Sequence, residues 1–241
     1  MKAMLLAGGR GERLRPITDA LPKCLVPING EPLLGIWLDL CARHGVSDVL
    51  VNVSQHVALV RKFLDHYRGP AQVTLVEERA PRGNAGTVRD HRHFLNGDDS
   101  VFVLYSDNLT TANLRELWRF HHSHTDLVTM GVFETAYPRM AGIVTLDADD
   151  RVVDFAEKPA APASNLANAG IYVLRRDAFE CIPDGEIVDF AQDVFPHCLG
   201  RMRAFEIRDY LLDIGHPAAL ARAEEEWPLQ RPAIDAHRAA R

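Results

Sequence analysis

Four cations, Arg10, Arg13, Arg15 and Lys23, surround three closely spaced glycines, Gly8, Gly9 and Gly11. Glycine lets backbone N–H groups approach a ligand closely. Successive bare N–H groups leaving a strand form a concavity that suits phosphate oxygens. The run Ala3–Ala7 before them is apolar on both faces, as in a strand buried within a parallel sheet. The pattern predicts a loop that cradles a polyphosphate; a tight turn with solvated arginines is the plainer alternative. Two rival glycine loops are excluded by spacing. A P-loop needs Gly-Lys-Ser/Thr, which does not occur, and a dinucleotide fingerprint needs a further glycine where Leu14 stands.

Two carboxylates farther along have positions suited to metal chemistry. Asp107 follows the apolar run Val101–Tyr105, so it emerges at the carboxyl edge of a sheet, where α/β ligands sit. Such a carboxylate can hold Mg²⁺, which takes one or two carboxylates together with phosphate oxygens and water. Asp213, in Leu212-Asp213-Ile214-Gly215-His216-Pro217, lies just before a helix start. Taken singly, Asp107 also fits an Asx-turn, and Asp213 a dipole-favoured helix start.

The stretch Leu6-Ala7-Gly8-Gly9-x-Gly11-x-Arg13-Leu14, with Pro16 and then Pro22-Lys23-x-Leu25, resembles the signature of the sugar-1-phosphate nucleotidyltransferases. It is closest to the guanylyltransferases for mannose 1-phosphate and D-glycero-D-manno-heptose 1-phosphate. It departs at Glu12, where a hydroxyl residue is usual, and at Cys24. The resemblance implies a Rossmann-like α/β fold with a mixed, mainly parallel central sheet, flanking helices and small acceptor-side hairpins. It implies that Leu6, Ala7, Gly8, Gly9, Gly11, Arg13 and Lys23 bind the nucleotide, and that Asp107 and Asp213 hold Mg²⁺. Glu157-Lys158-Pro159 matches the family's Glu-Lys-Pro motif, which assigns the acceptor phosphate to Lys158 and sugar hydroxyls to Glu157; Asn168 and Gly142 would complete the acceptor site. Without the resemblance, Glu157 and Lys158 would read as a surface ion pair.

In the family, the loop after the third strand reads the base; here it is Glu77-Glu78-Arg79-Ala80-Pro81-Arg82-Gly83-Asn84-Ala85-Gly86-Thr87. Uridylyl and thymidylyl enzymes place Gln five residues before the loop glycine, where Glu78 stands. A carboxylate only accepts hydrogen bonds, and guanine offers two adjacent donors. The expectation is therefore GTP, read by Glu78, or by Glu77 beside it, with Gly83 and Asn84 in the nucleotide site. The expected reaction joins GTP to a manno-configured sugar 1-phosphate, releasing pyrophosphate, with Arg13, Lys23 and Lys158 as the catalytic cations. Uridylyl or thymidylyl transfer is the alternative within the class, and a non-catalytic NDP-sugar sensor, suggested by the added acid Glu12, lies outside it.

These residues need elements to position them. Alternating strands and helices through the first half predict βαβ units. Strands are expected at Asp48–Val53, Val73–Val76, Gly142–Leu146, Val152–Glu157 and Ala169–Leu174. Helices are expected at Leu33–His44, Val57–Tyr67, Ala85–Phe94, Leu114–His122 and Ile187–Leu199. Met202–Ile207 and Tyr210–Ile214 read as a final hairpin, and Pro217–Glu226 as a closing helix. The expected organisation is one domain over 1–227, its nucleotide half about 1–110 and its sugar-phosphate half about 111–227, followed by a loose tail over 228–241.

Composition sets the outer limits. The 241 residues are 47% hydrophobic and 25% charged, ample for a core. A formal charge of -6 gives no support to a nucleic-acid partner. No apolar run approaches membrane-spanning length, so no membrane partner is expected. Four dispersed cysteines suit packed thiols in a reducing cytoplasm. Phe190, Val194 and Phe195 suit either a core or the interface of a homodimer. His121, His122 and His124 lack the spacing of a helical zinc site and are expected at the surface or capping a helix.

Overall fold

The computed structural model describes residues 1–239, with side chains through Gln230. In chain order it begins with β1 (Lys2–Leu6), α1 (Ile17–Ala20), β2 (Pro27–Ile28), β3 (Glu31–Pro32), α2 (Leu33–Arg43), β4 (Asp48–Val53), α3 (Val57–His66) and β5 (Gln72–Glu77). Next come α4 (Asn84–Asp90), β6 (Ser100–Tyr105), β7 (Asn108–Thr110), α5 (Leu114–His122), β8 (Val128–Glu134), β9 (Gly142–Leu146) and β10 (Val152–Glu157). The last are β11 (Leu166–Arg175), α6 (Phe195–Cys198), β12 (Met202–Glu206), β13 (Leu211–Asp213) and α7 (Pro217–Ala239). The α/β class expected from alternating periodicities is present.

Two compact units divide the chain, and neither is continuous in sequence. One comprises Met1–Ala80, Tyr105–Asn113 and the chain from Asp209 on; the other comprises Pro81–Leu104 and Leu114–Arg208. A single cut near residue 110 would misassign both the segment from Pro81 and the closing strand and helix.

In the first unit β4 lies between β1 and β5, all parallel, with Asn52 level with Leu6 on one side and Val76 on the other. Ala3, Met4, Leu5, Val49 and Val51 have no exposed surface, as their two-faced apolar run predicts. Helix α2 has no side-chain N-cap. It is held by burial of Leu33, Leu34, Trp37 and Leu38, each worth about 1.5–3 kcal/mol. The indole of Trp37 donates to the Asn108 carbonyl at 2.8 Å and so fixes the start of β7. Strand β13 pairs antiparallel with β7, setting Asp213 opposite Asn108.

In the second unit β11 pairs antiparallel with β6 along one edge and with β8 along the other. Strands β9 and β10 form an antiparallel pair. The acidic turn between them is closed by Asp147, whose carboxylate accepts from the Asp149 and Arg151 amides.

Four expectations need correction. Met202–Ile207 and Tyr210–Ile214 do not form a hairpin: β12 runs parallel to β8, and β13 pairs with β7. Each strand finds a partner distant in sequence, which its own pattern cannot specify. The helix expected at Ile187–Leu199 is shorter, a π-helical turn over Phe190–Val194 followed by α6. Asp189 caps it by accepting from Ala191 and Gln192, and Val188 spends its backbone groups on Arg82, Ala85 and Gly86. Its apolar side chains are core: Phe190 stacks on Phe195 at 5.5 Å and Tyr172 packs on both. From residue 228 the chain is not loose but continues in α7 to Ala239, although Pro228 and Pro232 lie within that stretch; residues 240 and 241 lie outside the described residues.

The histidines are the fourth. His121 is fully buried, its ring nitrogens 3.2 Å from Ser100 Oγ and 2.8 Å from Thr129 Oγ1. His124 also reaches Thr129 Oγ1, at 3.0 Å, and its other ring nitrogen accepts from the Asp126 amide. Of the three, His122 alone is exposed. His121 and His124 thus share the Thr129 hydroxyl, and among the described residues no group of three or more His, Cys, Asp or Glu side chains is placed to hold a metal.

Candidate active site

The glycine loop leaves the sheet where the sequence requires, and its backbone is pinned by side chains from the neighbouring strand. The Ala7 amide donates to Asn52 Oδ1 at 2.8 Å, and Ser54 Oγ donates to the Gly8 carbonyl at 2.6 Å. Gly8 has no space for a side chain: a Cβ there would lie 2.7 Å from Asn52 Nδ2 and 3.3 Å from Glu78 Oε2. Thr18 Oγ1 donates to the Gly11 carbonyl at 2.8 Å, closing the far end. Arg13 is exposed on this loop. Glu12 is also exposed, 3.9 Å from Arg10, so the added acid has a cation of its own.

The residues at 107 and 213 come together at one end of a small sheet, where Asp107 leads into β7 and Asp213 closes its antiparallel partner β13. The Ile214 amide donates to the Asp107 carbonyl at 3.0 Å. Lys23 Nζ donates to Asp107 Oδ2 at 2.8 Å and lies 3.9 Å from Asp213 Oδ1. Arg13 completes the group, for a Cβ on Gly215 would lie 2.7 Å from its Nη2 and 2.8 Å from Asp213 Oδ1. Partial burial and the Asp107 carboxylate push the Asp213 carboxyl up from its usual range, while Lys23 and Arg13 act to lower it. A like charge that raises a neighbour's pKa is one that a cation between the two would relieve. Two carboxylates are too few for an all-protein cage, but they match the habit of Mg²⁺, which leaves its other positions to phosphates and water.

The two acids of the base loop are separated by burial. Glu77 is exposed, whereas Glu78 is 9% exposed and accepts from Asn52 Nδ2 at 3.0 Å. The Glu78 amide donates to the Val53 carbonyl, so its backbone continues the ladder of β5 on β4.

In the second unit, Gly83 and Asn84 open α4. Gly83 has φ +73, and a Cβ there would lie 2.2 Å from the Val188 carbonyl oxygen. Asn84 Nδ2 donates to Asp189 Oδ2 at 2.7 Å, and its Oδ1 accepts from the Phe190 amide at 2.7 Å. Both ends of that amide hold the loop against residues 189–190. Glu157 ends β10 opposite Gly142. A Cβ on Gly142 would lie 2.8 Å from Glu157 Oε2, so the glycine makes room for that carboxylate. Lys158 sits at φ +46 with Nζ 3.1 Å from Glu157 Oε1, and both side chains are solvent-accessible. Asn168 Oδ1 accepts from the Gly170 amide at 3.0 Å, at a break in register between β11 and β8.

Sequence reasoning missed Asn52, Ser54 and Thr18. Asn52 had a usable signal, a polar residue inside the apolar strand Asp48–Val53. Thr18 had none, because its contact depends on the path of the loop.

Comparison with known proteins follows the same outline. The Nucleotidyl transferase family pattern matches residues 2–228. The mannose-1-phosphate guanylyltransferase of Mycobacterium tuberculosis is 32% identical over 98% of this chain and 68% of its own length. The mannose-1-phosphate guanyltransferase of Aspergillus fumigatus is 32% identical over 90% of this chain, which spans 61% of that relative. Among solved structures, HddC from Yersinia pseudotuberculosis complexed with GMP-PN superposes with a TM-score of 0.80 at 22% identity, covering 94% of this chain and 99% of that one. A UDP-glucose pyrophosphorylase complexed with UDP-glucose gives 0.82 at 18% identity, covering 95% and 98%. At such identities the structural likeness speaks to the fold.

Proposed function

Because this chain belongs to the nucleotidyl transferase family, we propose that it is a sugar-1-phosphate guanylyltransferase, joining GTP to a manno-configured sugar 1-phosphate and releasing pyrophosphate. The acceptor is mannose 1-phosphate or D-glycero-D-manno-heptose 1-phosphate. The observation that carries the base assignment is Glu78, a buried carboxylate beside Gly8 in the unit that holds the glycine loop. Guanine presents N1–H and the 2-amine to such an acceptor, a charge-assisted pair worth about 1–3 kcal/mol of discrimination.

In this reading the backbone from Leu6 to Gly11 cradles the triphosphate, with Gly9 at the open end of the loop. Arg13 binds the outer phosphates and Lys23 the α-phosphate. Asp107 and Asp213 would hold Mg²⁺, which neutralises charge on the nucleotide when bound. Lys158 binds the acceptor phosphate, Glu157 and Asn168 contact the sugar, and Gly142 offers its backbone. Gly83 and Asn84 shape the base loop. An acceptor phosphate oxygen attacks the α-phosphorus, the bond to the β-phosphate oxygen breaks, and pyrophosphate leaves. The acceptor is already an anion, so positioning and charge neutralisation carry the rate and no side-chain base is needed. The Arg10 guanidinium 3.9 Å from Glu12 offsets part of the charge that the added acid brings to the loop. We place the reaction in the cytoplasm, where four free thiols are stable.

The test incubates the protein with Mg²⁺ and each NTP in turn, against mannose and heptose 1-phosphates, and follows pyrophosphate release. Release with GTP is expected. Release with UTP alone overturns the base assignment, and no release with any pair favours a binding protein without turnover.

A further inference from the structure

We propose that Asn52 is the positioning residue for base selection: its amide ties the phosphate-loop backbone to the Glu78 carboxylate, so that loop and base reader keep one geometry. The inference rests on the reading of Glu78 as the guanine acceptor.

The placement follows from strand order. Strand β4 is central, and Asn52 is its next-to-last residue, level with Leu6 and Val76. The two strands beside it therefore release their loops on either side of this one side chain. Ala7 comes directly after Leu6, and Glu78 two residues after Val76. The groups to be joined are chemically unlike. A backbone amide only donates, and a carboxylate only accepts. A side chain linking them needs an acceptor and a donor on one short rigid group, which an asparagine amide supplies. Its orientation is fixed by these partners: Oδ1 faces the Ala7 amide at 2.8 Å, and Nδ2 faces Glu78 Oε2 at 3.0 Å. A flipped amide would set N–H against N–H and oxygen against carboxylate. Asn52 is 4% exposed, and a Cβ on Gly8 would collide with the same amide. The side chain therefore has little room to choose another rotamer.

Asn52→Asp separates the two arms of this link. It preserves the acceptor for Ala7 and replaces the donor to Glu78 with a second carboxylate. The reader carboxylate is then pushed away from its position while the loop stays bound. The readout is the ratio of dissociation constants for GTP and ITP, measured by calorimetry in the presence of Mg²⁺. ITP keeps N1–H and lacks the 2-amine, so the ratio reports how well the carboxylate is aimed. The wild type is expected to prefer GTP by about tenfold or more. N52D is expected to lose most of that preference, as is Glu78→Gln. The double variant N52D/E78Q should regain thermal stability, because the new amide at position 78 can donate to the new carboxylate at position 52. It should not regain the preference for GTP.

A residue that merely stabilises the fold would weaken GTP and ITP equally, so an unchanged ratio in N52D with a lost ratio in E78Q overturns the role of Asn52. An unchanged ratio in E78Q overturns instead the guanine reading beneath it. Should N52D not fold, Asn52→Ser serves: its hydroxyl is too short to span both partners, and a wild-type ratio there also overturns the inference.

Discussion

Lys23 donates to Asp107 at 2.8 Å across 84 positions of sequence, and its side chain is 12% exposed. A cation thus already occupies the approach to the two carboxylates proposed to hold Mg²⁺. Removing charge from Asp107 should therefore disable chemistry before it disables folding. Asp107→Asn keeps the size of the side chain, and pyrophosphate release is expected to fall by about 100-fold or more. Circular dichroism should be unchanged; a fully active variant would remove Asp107 from the reaction.

Gly83 and Gly200 share φ +73, but only the first has a neighbour where its Cβ would go. Gly200→Ala should cost about 1 kcal/mol, from backbone strain alone. Gly83→Ala meets the Val188 carbonyl oxygen at 2.2 Å and should cost about 3 kcal/mol or more, since backbone must move. Urea unfolding of the two variants gives the difference directly, and equal midpoints would contradict the clash.

Asn84 is expected to act through its loop. Asn84→Ala removes the bonds to Asp189 and the Phe190 amide, both partly buried, at a cost of about 1–2 kcal/mol. The preference for GTP over ITP should survive in the folded variant. A lost preference at unchanged stability would place Asn84 against the base instead.

His121 predicts an acid-side loss of stability. Burial, then the charge of Arg175 and the neighbouring histidines, lowers its pKa from 6.5 to about 3. Between those values the unfolded chain binds a proton that the native ring does not, so stability rises with pH and falls as pH drops from 6.5 toward 3. Going from pH 7 to pH 5 should cost about 2 kcal/mol through this group. His121→Gln should flatten that slope in chemical denaturation at the two pH values; an unaltered slope would place the titration elsewhere.

Much of the site could be read before any fold was known, for local reasons. The glycines and cations of residues 8–23 are close in sequence, and a buried strand must present its next residues at the sheet edge. Gly142–Leu146 and Val152–Glu157 were legible as short apolar stretches on either side of the acidic run Asp147–Asp150, and such a strand-turn-strand pattern is local. Glu78 could be singled out, with Glu77 as its alternative, only through the resemblance to the family's base loop, and that it is buried while Glu77 is exposed depends on the chain that covers each.

By itself, then, the sequence determined which chemistry is available: a bare glycine loop, its cations, two carboxylates and an acidic base loop. Tertiary structure decided which of these groups meet. The β13–β7 pair brings Asp213 to Lys23, the order of β1, β4 and β5 hands Asn52 both of its partners, and the closing strands separate instead of forming a hairpin. Local periodicity encodes the face a strand will bury, but strand partners depend on burial summed over the whole unit, which no short stretch of residues contains.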